Sequence, residues 1–119
     1  MMNKYIKLFE DFKDDNIIKN IYNTLKIDKK VYLDVQMYDD DTIYLDQIVI
    51  SKNHRNKGLF KKTINGLKNI ADKHNLGILL YPDADLELDV ISDDDLINLY
   101  KKFGFKFHPT MKDFLYYKK

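Results

Sequence analysis

The sequence predicts one mixed α/β domain spanning residues 1–119, with element order ααββαβαββ. Three observations predict it. Two strand-like runs meet at an Asp-rich turn, a long helical pattern follows the second run, and a short, fully apolar run comes next. A strand, a helix and a buried strand in that order form a crossover that leaves the two strands parallel.

The elements follow in order. Tyr5, Leu8, Phe9 and Phe12 mark a first helical segment. Ile17, Ile18, Ile21, Tyr22 and Leu25 mark a second, with Asp14 and Asp15 as N-caps. Val31, Leu33, Val35 and Met37 alternate with Tyr32, Asp34, Gln36 and Tyr38, the period of a strand with one face buried. Asp39-Asp40-Asp41 turns the chain into a second strand, Thr42 to Ser51, giving a hairpin.

Leu59, Thr63, Ile64, Leu67, Ile70, Ala71 and His74 trace one face of a long helix that starts near Gly58 and ends over Asn75 to Gly77. Gly66 inside it costs about 1 kcal/mol against alanine, which points to close packing on the sheet. Ile78 to Tyr81 is a short strand stopped by Pro82 and expected parallel to 42–51. After an acidic stretch, Leu96, Leu99, Tyr100 and Phe103 line a helix closed by Gly104. Phe105 with Phe107, then Phe114 to Tyr117, give two final strands around Pro109.

Composition excludes several chemistries. There is no cysteine, which removes disulfides, thiolate metal sites and an acyl-cysteine intermediate. His54, His74 and His108 lie far apart without ligand spacing, so no metal is expected. Ser51 and Ser92 sit outside any nucleophile elbow, so transfer should be direct between two bound substrates. A net charge of +1 advertises neither a nucleic acid nor a membrane partner. No apolar run approaches a membrane span and no signal-peptide core opens the chain, so a cytoplasmic location is expected.

Arg55 is the single arginine among twenty basic residues, a lysine bias of the kind an AT-rich genome produces. Its planar fork suits bidentate contact with phosphate in a way lysine does not. It sits in His54-Arg55-Asn56-Lys57-Gly58-Leu59-Phe60, between the apolar strand and the long helix. A strand, a basic turn and a helix N-terminus together make an anion site, since free N–H groups and the helix dipole converge there.

Forty residues on stands Leu99-Tyr100-Lys101-Lys102-Phe103-Gly104-Phe105. The loop and this second motif, in this order, resemble the GNAT acetyltransferase superfamily over roughly residues 31–117. Its pyrophosphate loop reads Arg/Gln-x-x-Gly-x-Gly/Ala, and its late helix commonly ends in Leu-Tyr-x-x-x-Gly-Phe. Leu45-Asp46-Gln47-Ile48-Val49-Ile50 and Tyr100 to Phe105 are also similar to glucosamine-phosphate N-acetyltransferases. Asn3 to Phe12 resembles N-termini common among tailed-phage proteins, which places the location in a host cytoplasm.

The resemblance implies a GNAT-like fold with a reduced N-terminal part and an acetyl-CoA site without a metal. The backbone of Ile48, Val49 and Ile50 would pair with the pantetheine arm. The N–H groups of Asn56, Lys57, Gly58, Leu59 and Phe60 would cradle the pyrophosphate, with Arg55 beside it and Lys61 or Lys62 near the outer phosphates. The thioester wedge would open where strands 42–51 and 78–81 part, the usual ligand crevice of such sheets. Tyr100 matches the tyrosine that stabilises the departing thiolate. A phenol (pKa about 10) is a weaker acid than a thiol (about 8.5), so hydrogen bonding is favoured over full proton transfer. Asp46 is the candidate base, on the premise that alternation puts it on the face of Ile48 and Ile50.

The chain departs from the family pattern at three places. Phe60 replaces a small residue and should narrow the phosphate approach. Asp93 stands where many members carry an asparagine that touches pantetheine or substrate. The short N-terminal part leaves the substrate side pared down or completed by a partner, a homodimer being one such arrangement. The implied activity is acetyl transfer to a primary amine of a small molecule or protein; the alternative is a catalytically degenerate CoA-fold module that binds a partner. The acidic stretch from Asp83 to Asp95 reads as a solvated edge, and its charge would also draw a cationic acceptor.

Overall fold

The alternation over residues 31–38 becomes β1, Val31–Asp39, in a computed structural model that describes residues 16–23, 25, 31–50, 58–83 and 92–119. Val31, Leu33 and Val35 are buried, whereas Tyr32 and Tyr38 are more than half exposed. At the hairpin turn the Asp41 N–H donates to Asp39 Oδ1 at 3.0 Å, the local bond that makes Asp a turn former. The chain returns as β2, Thr42–Ile50, antiparallel to β1.

Their register is not continuous. Asp34 faces Gln47 and Val35 faces Leu45, so Asp46 is the extra residue of a β-bulge. The bulge shifts the phase of β2: Ile43 and Leu45 are buried before it, and Ile48 and Ile50 after it. Strict alternation would have turned one of those pairs to solvent. Asp46 is exposed, so the premise that it shares a face with Ile48 and Ile50 fails.

Helix α1 covers residues 16–23 and α2 covers Leu59–Lys73. Ile17 and Ile21 of α1 join Ile64, Leu67, Ile70 and Ala71 of α2 in one core with the buried strand residues. Tyr22 pins α1 to the sheet: its hydroxyl donates to the Leu33 carbonyl at 3.1 Å and accepts from the Val35 N–H at 3.3 Å. Gly66 does mark a close approach, but to Leu25 rather than to the sheet. A Cβ there would collide with the Leu25 side chain. The reason lies in the helix faces: Thr63, Ile64 and Leu67 are the buried residues around it, which leaves Gly66 at the flank.

Strand β3, Gly77–Leu80, is buried throughout and pairs parallel with Thr42–Leu45 of β2. It starts one residue earlier than expected and excludes Tyr81, which is 47% exposed. Helix α3, Asp93–Lys102, buries Leu96 and Tyr100 and gives way to Gly104 at φ 95°, a left-handed position that glycine adopts without strain. The last strands are β4, Lys106–Phe107, and β5, Leu115–Tyr117. Phe105 belongs to the core instead of a strand, at 1% exposure.

The sheet order is β1-β2-β3-β5-β4, a five-stranded mixed sheet in which β2 and β3 are the parallel pair. Tyr117 ties β5 to α2: its hydroxyl donates to the Asp72 carboxylate at 2.8 Å, and Lys68 Nζ sits 4.8 Å from its ring centroid. Burial first, then Asp72, holds the Tyr117 pKa above the ordinary phenol value. The first helical segment, with Asp14 and Asp15, and residues 84–91 of the acidic stretch lie outside the described residues. Among the described residues no helix is long and apolar enough to cross a membrane.

Candidate active site

Two backbone features flank the connection between β2 and α2. The first is the parting of the parallel strands. Their ladder stops at Leu45 opposite Leu80, while β2 runs on to Ile50 and the chain after β3 reaches Pro82 two residues later. On this stretch Ile48, Val49 and Ile50 pair with Leu33, Tyr32 and Val31 of β1, and among the described residues none of them pairs with β3.

The second feature is the start of α2. Gly58 is the N-cap at φ 75°, with no side-chain cap and no acidic residue in the first turn. The first N–H groups of a helix have no intrahelical acceptor, and the dipole adds partial positive charge there. Leu59 and Phe60 are half-buried, and Lys61 and Lys62 are exposed on the first turn. Basic side chains at an uncapped N-terminus are unfavourable for the helix by itself and favourable for a bound anion. Arg55, Asn56 and Lys57, expected beside the same phosphates, lie outside the described residues.

At the bulge the structure brings together two carboxyl groups, one of which sequence reasoning did not single out. Asp34 of β1 hydrogen-bonds to Asp46 of β2. Burial, then that hydrogen bond and the Asp46 charge, push the Asp34 pKa above the ordinary carboxylate value. A hydrogen bond between two carboxyl groups needs a proton on one of them, and the raised pKa of Asp34 favours its holding one. The sequence showed Asp34 on the exposed side of an alternating strand. Only the register identified its partner.

Tyr100 is 0% exposed, with its ring 5.5 Å from that of Phe60 and 5.4 Å from that of Phe105, both edge-on. Phe60, expected to narrow the phosphate approach, also packs edge-on against Phe103 at 5.8 Å. Its ring therefore closes over the tyrosine. Asp93 is exposed in the first turn of α3, beside the Ser92 cap whose Oγ accepts from the Asp95 N–H at 3.2 Å. Among the described residues no group of three or more His, Asp or Glu side chains could hold a metal ion.

Residues 22–105 match the family model described as "Acetyltransferase (GNAT) family". The chain belongs to the GNAT family. No curated protein matches it. Among solved structures, the anti-CRISPR protein AcrVA5 shares 21% identity at a TM-score of 0.64, over 77% of this chain and 94% of that one. Ard1 from Thermoplasma volcanium shares 12% identity at a TM-score of 0.54, over 85% of this chain and 76% of that one. These likenesses show the fold. The five-stranded mixed sheet with its parting parallel pair is thus the GNAT acetyltransferase fold.

Proposed function

We propose that the protein is an N-acetyltransferase that moves an acetyl group from acetyl-CoA to a primary amine by direct attack within a ternary complex. The observation that carries this reading is the parallel β2–β3 ladder that stops while β2 runs on to Ile50, with the uncapped, basic start of α2 next along a GNAT-family chain. A wedge between parallel strands accepts an extended arm that adds to the β2 edge along Ile48, Val49 and Ile50. The α2 N-terminus accepts the pyrophosphate on the N–H groups of Asn56 to Phe60, with Arg55 and Lys61 neutralising its charge.

Bound acetyl-CoA supplies the thioester. Nitrogen–carbon bond formation and carbon–sulfur bond cleavage must be matched by loss of a proton from the amine and stabilisation of the departing thiolate. Asp46, exposed at the bulge and paired with Asp34, takes the amine proton directly or through water. Tyr100 donates its hydroxyl to the thiolate as a hydrogen bond. For that, the buried Tyr100 hydroxyl must become accessible to the thiolate. Asp93, in the first turn of α3, stands near the pantetheine or acceptor in this reading.

One observation favours a second reading, a non-catalytic CoA-fold module: Tyr100 is fully covered, partly by Phe60. Calorimetry with acetyl-CoA and mass-spectrometric detection of transfer to an amine panel separate the two. The enzyme reading expects saturable binding, weakened by Arg55→Ala, and acetylated product. Absence of binding at millimolar acetyl-CoA would sink it, and binding without product on any amine would favour the module.

A further inference from the structure

The face of β1 and β2 turned away from the core carries a cleft of about 400 Å³, bordered among the described residues by Gln36, Met37, Tyr38, Tyr44, Met111 and Phe114. Its outer wall is the connection from β4 to β5, which is held in shape by its own bonds. The His108 N–H donates to the Phe114 carbonyl at 2.8 Å, and His108 Nδ1 accepts from the Thr110 and Met111 N–H groups at 3.1 and 3.0 Å. Met111 is thereby set over the sheet, where Tyr38 Oη donates to its sulfur at 3.9 Å. The cleft is preformed.

Its lining suits an alkyl chain that carries a positive charge. Tyr38 and Tyr44 lie with ring centroids 6.5 Å apart, and Phe114 and the Met111 thioether complete the apolar surface. Methylene groups pack on such rings, and an ammonium is attracted to their faces. One end of the cleft leads to the carboxyl pair. Gln36 faces Tyr44, and the next pair on that face of the strands is Asp34 with Gln47, beside the bulged Asp46. Two residues along a strand span about 7 Å, a reach that the four-carbon stem of lysine covers. Phe114 also packs edge-on against Tyr81, which directly follows β3 past the point where the parallel strands part. The cleft therefore borders the wedge.

Charge at the other end separates a peptide from a small amine. Asp39 and Asp40 lie exposed at the hairpin turn, beyond Tyr38. Asp39 stands five positions along β1 from Asp34, about 17 Å along the strand. That is too far for the second ammonium of a short diamine held at Asp34, but within range of a basic neighbour in a polypeptide. The flanking Tyr38 is 53% exposed and leaves room for a main chain outside the cleft.

We propose that this cleft is the acceptor site and that it takes a lysine side chain from a basic polypeptide segment. The stem lies across Tyr44 and Phe114, the ammonium reaches Asp34 and Asp46, and basic neighbours face Asp39 and Asp40. The acetylation that would follow rests on the N-acetyltransferase reading, but the binding does not.

The test uses the full chain with ¹³C-methyl methionine and an end-blocked glycine–arginine peptide carrying one lysine, followed by NMR without acetyl-CoA. Saturable movement of the Met111 methyl signal is expected. A norleucine peptide should bind at least about tenfold more weakly, since its ammonium is gone. Tyr44→Leu and Phe114→Leu, shown folded by circular dichroism, should weaken the lysine peptide about fivefold or more by removing the ring faces. The proposal is overturned if Met111 does not respond, if norleucine binds equally well, or if cadaverine or spermidine binds as tightly as the peptide. A responding Met111 without acetyl transfer to any amine would overturn the enzyme reading alone. Acetylation of amines that leave Met111 unmoved would overturn the cleft alone.

Discussion

The starts of α2 and α3 present the same dipole and are treated in opposite ways. At α3, Ser92 caps the helix and Asp93, Asp94 and Asp95 occupy the first turn, so the helix satisfies its own positive end. At α2, a left-handed glycine stands in the cap position, no side chain caps the helix, and the charged residues of the first turn are lysines. A helix held only for packing gains from the first arrangement. The second forgoes local stabilisation, and it makes physical sense where an external anion completes the end.

The largest expected effect comes from breaking that contrast. Gly58→Asp places a carboxylate where the phosphates are proposed to bind and should weaken acetyl-CoA by roughly a hundredfold in calorimetry. Gly58→Asn sharpens the point, because asparagine tolerates the left-handed backbone and carries no charge. It should keep most of the affinity. If both variants lost binding equally, backbone strain and not charge would be responsible.

Next in size is Tyr100→Phe, near the other end of α3. Loss of a hydrogen bond to a charged thiolate should lower kcat by roughly tenfold or more while acetyl-CoA affinity stays close to wild type. An unchanged kcat would reduce Tyr100 to a core residue. Ser92→Ala should leave cofactor affinity alone and cost about 1 kcal/mol of stability, seen as a Tm lower by a few degrees. Equal losses of cofactor affinity from Ser92→Ala and Gly58→Asp would erase the distinction between the two helix starts.

The smallest effect concerns a carboxyl group with no helix dipole to support it. The Asp34 pKa is raised in the fold above its unfolded value, so the native state holds this proton more tightly. Its contribution is fully present below the unfolded pKa and is lost as pH rises through the folded one. Asp34→Asn should therefore be slightly more stable than wild type at neutral pH, and the difference should shrink on acidification. Thermal melts from pH 3 to 7 measure this directly, and a gap that widens in acid would reverse the assignment.

Much of the architecture was legible in local pattern. The alternation of Val31, Leu33 and Val35, the helical spacing of Ile64, Leu67 and Ala71, and the glycine after Phe103 each have one physical reading at short range. The strand after α2 could be placed parallel to β2 because crossover connections leave few alternatives. The end strands were less legible: Phe105 reads as a strand residue by type, yet its aromatic contacts to Tyr100 and Tyr117 draw it into the core. The loop motif located the start of α2, but no spacing rule could show Phe60 closing over Tyr100, forty residues away.

By itself the sequence determined the order of the described elements, the mixed α/β class, the basic start of α2 and the resemblance to one family. All of these depend on residues near one another in the chain, where periodicity and turn chemistry act. Tertiary structure alone decided the bulge at Asp46, its pairing with Asp34, the space beside Gly66 taken by Leu25, and the aromatic cleft under Met111. Each joins segments distant in sequence. A one-residue slip of register would have turned Asp34 and its neighbours to the other face, so only the folded sheet could bring the two carboxyl groups and the cleft together.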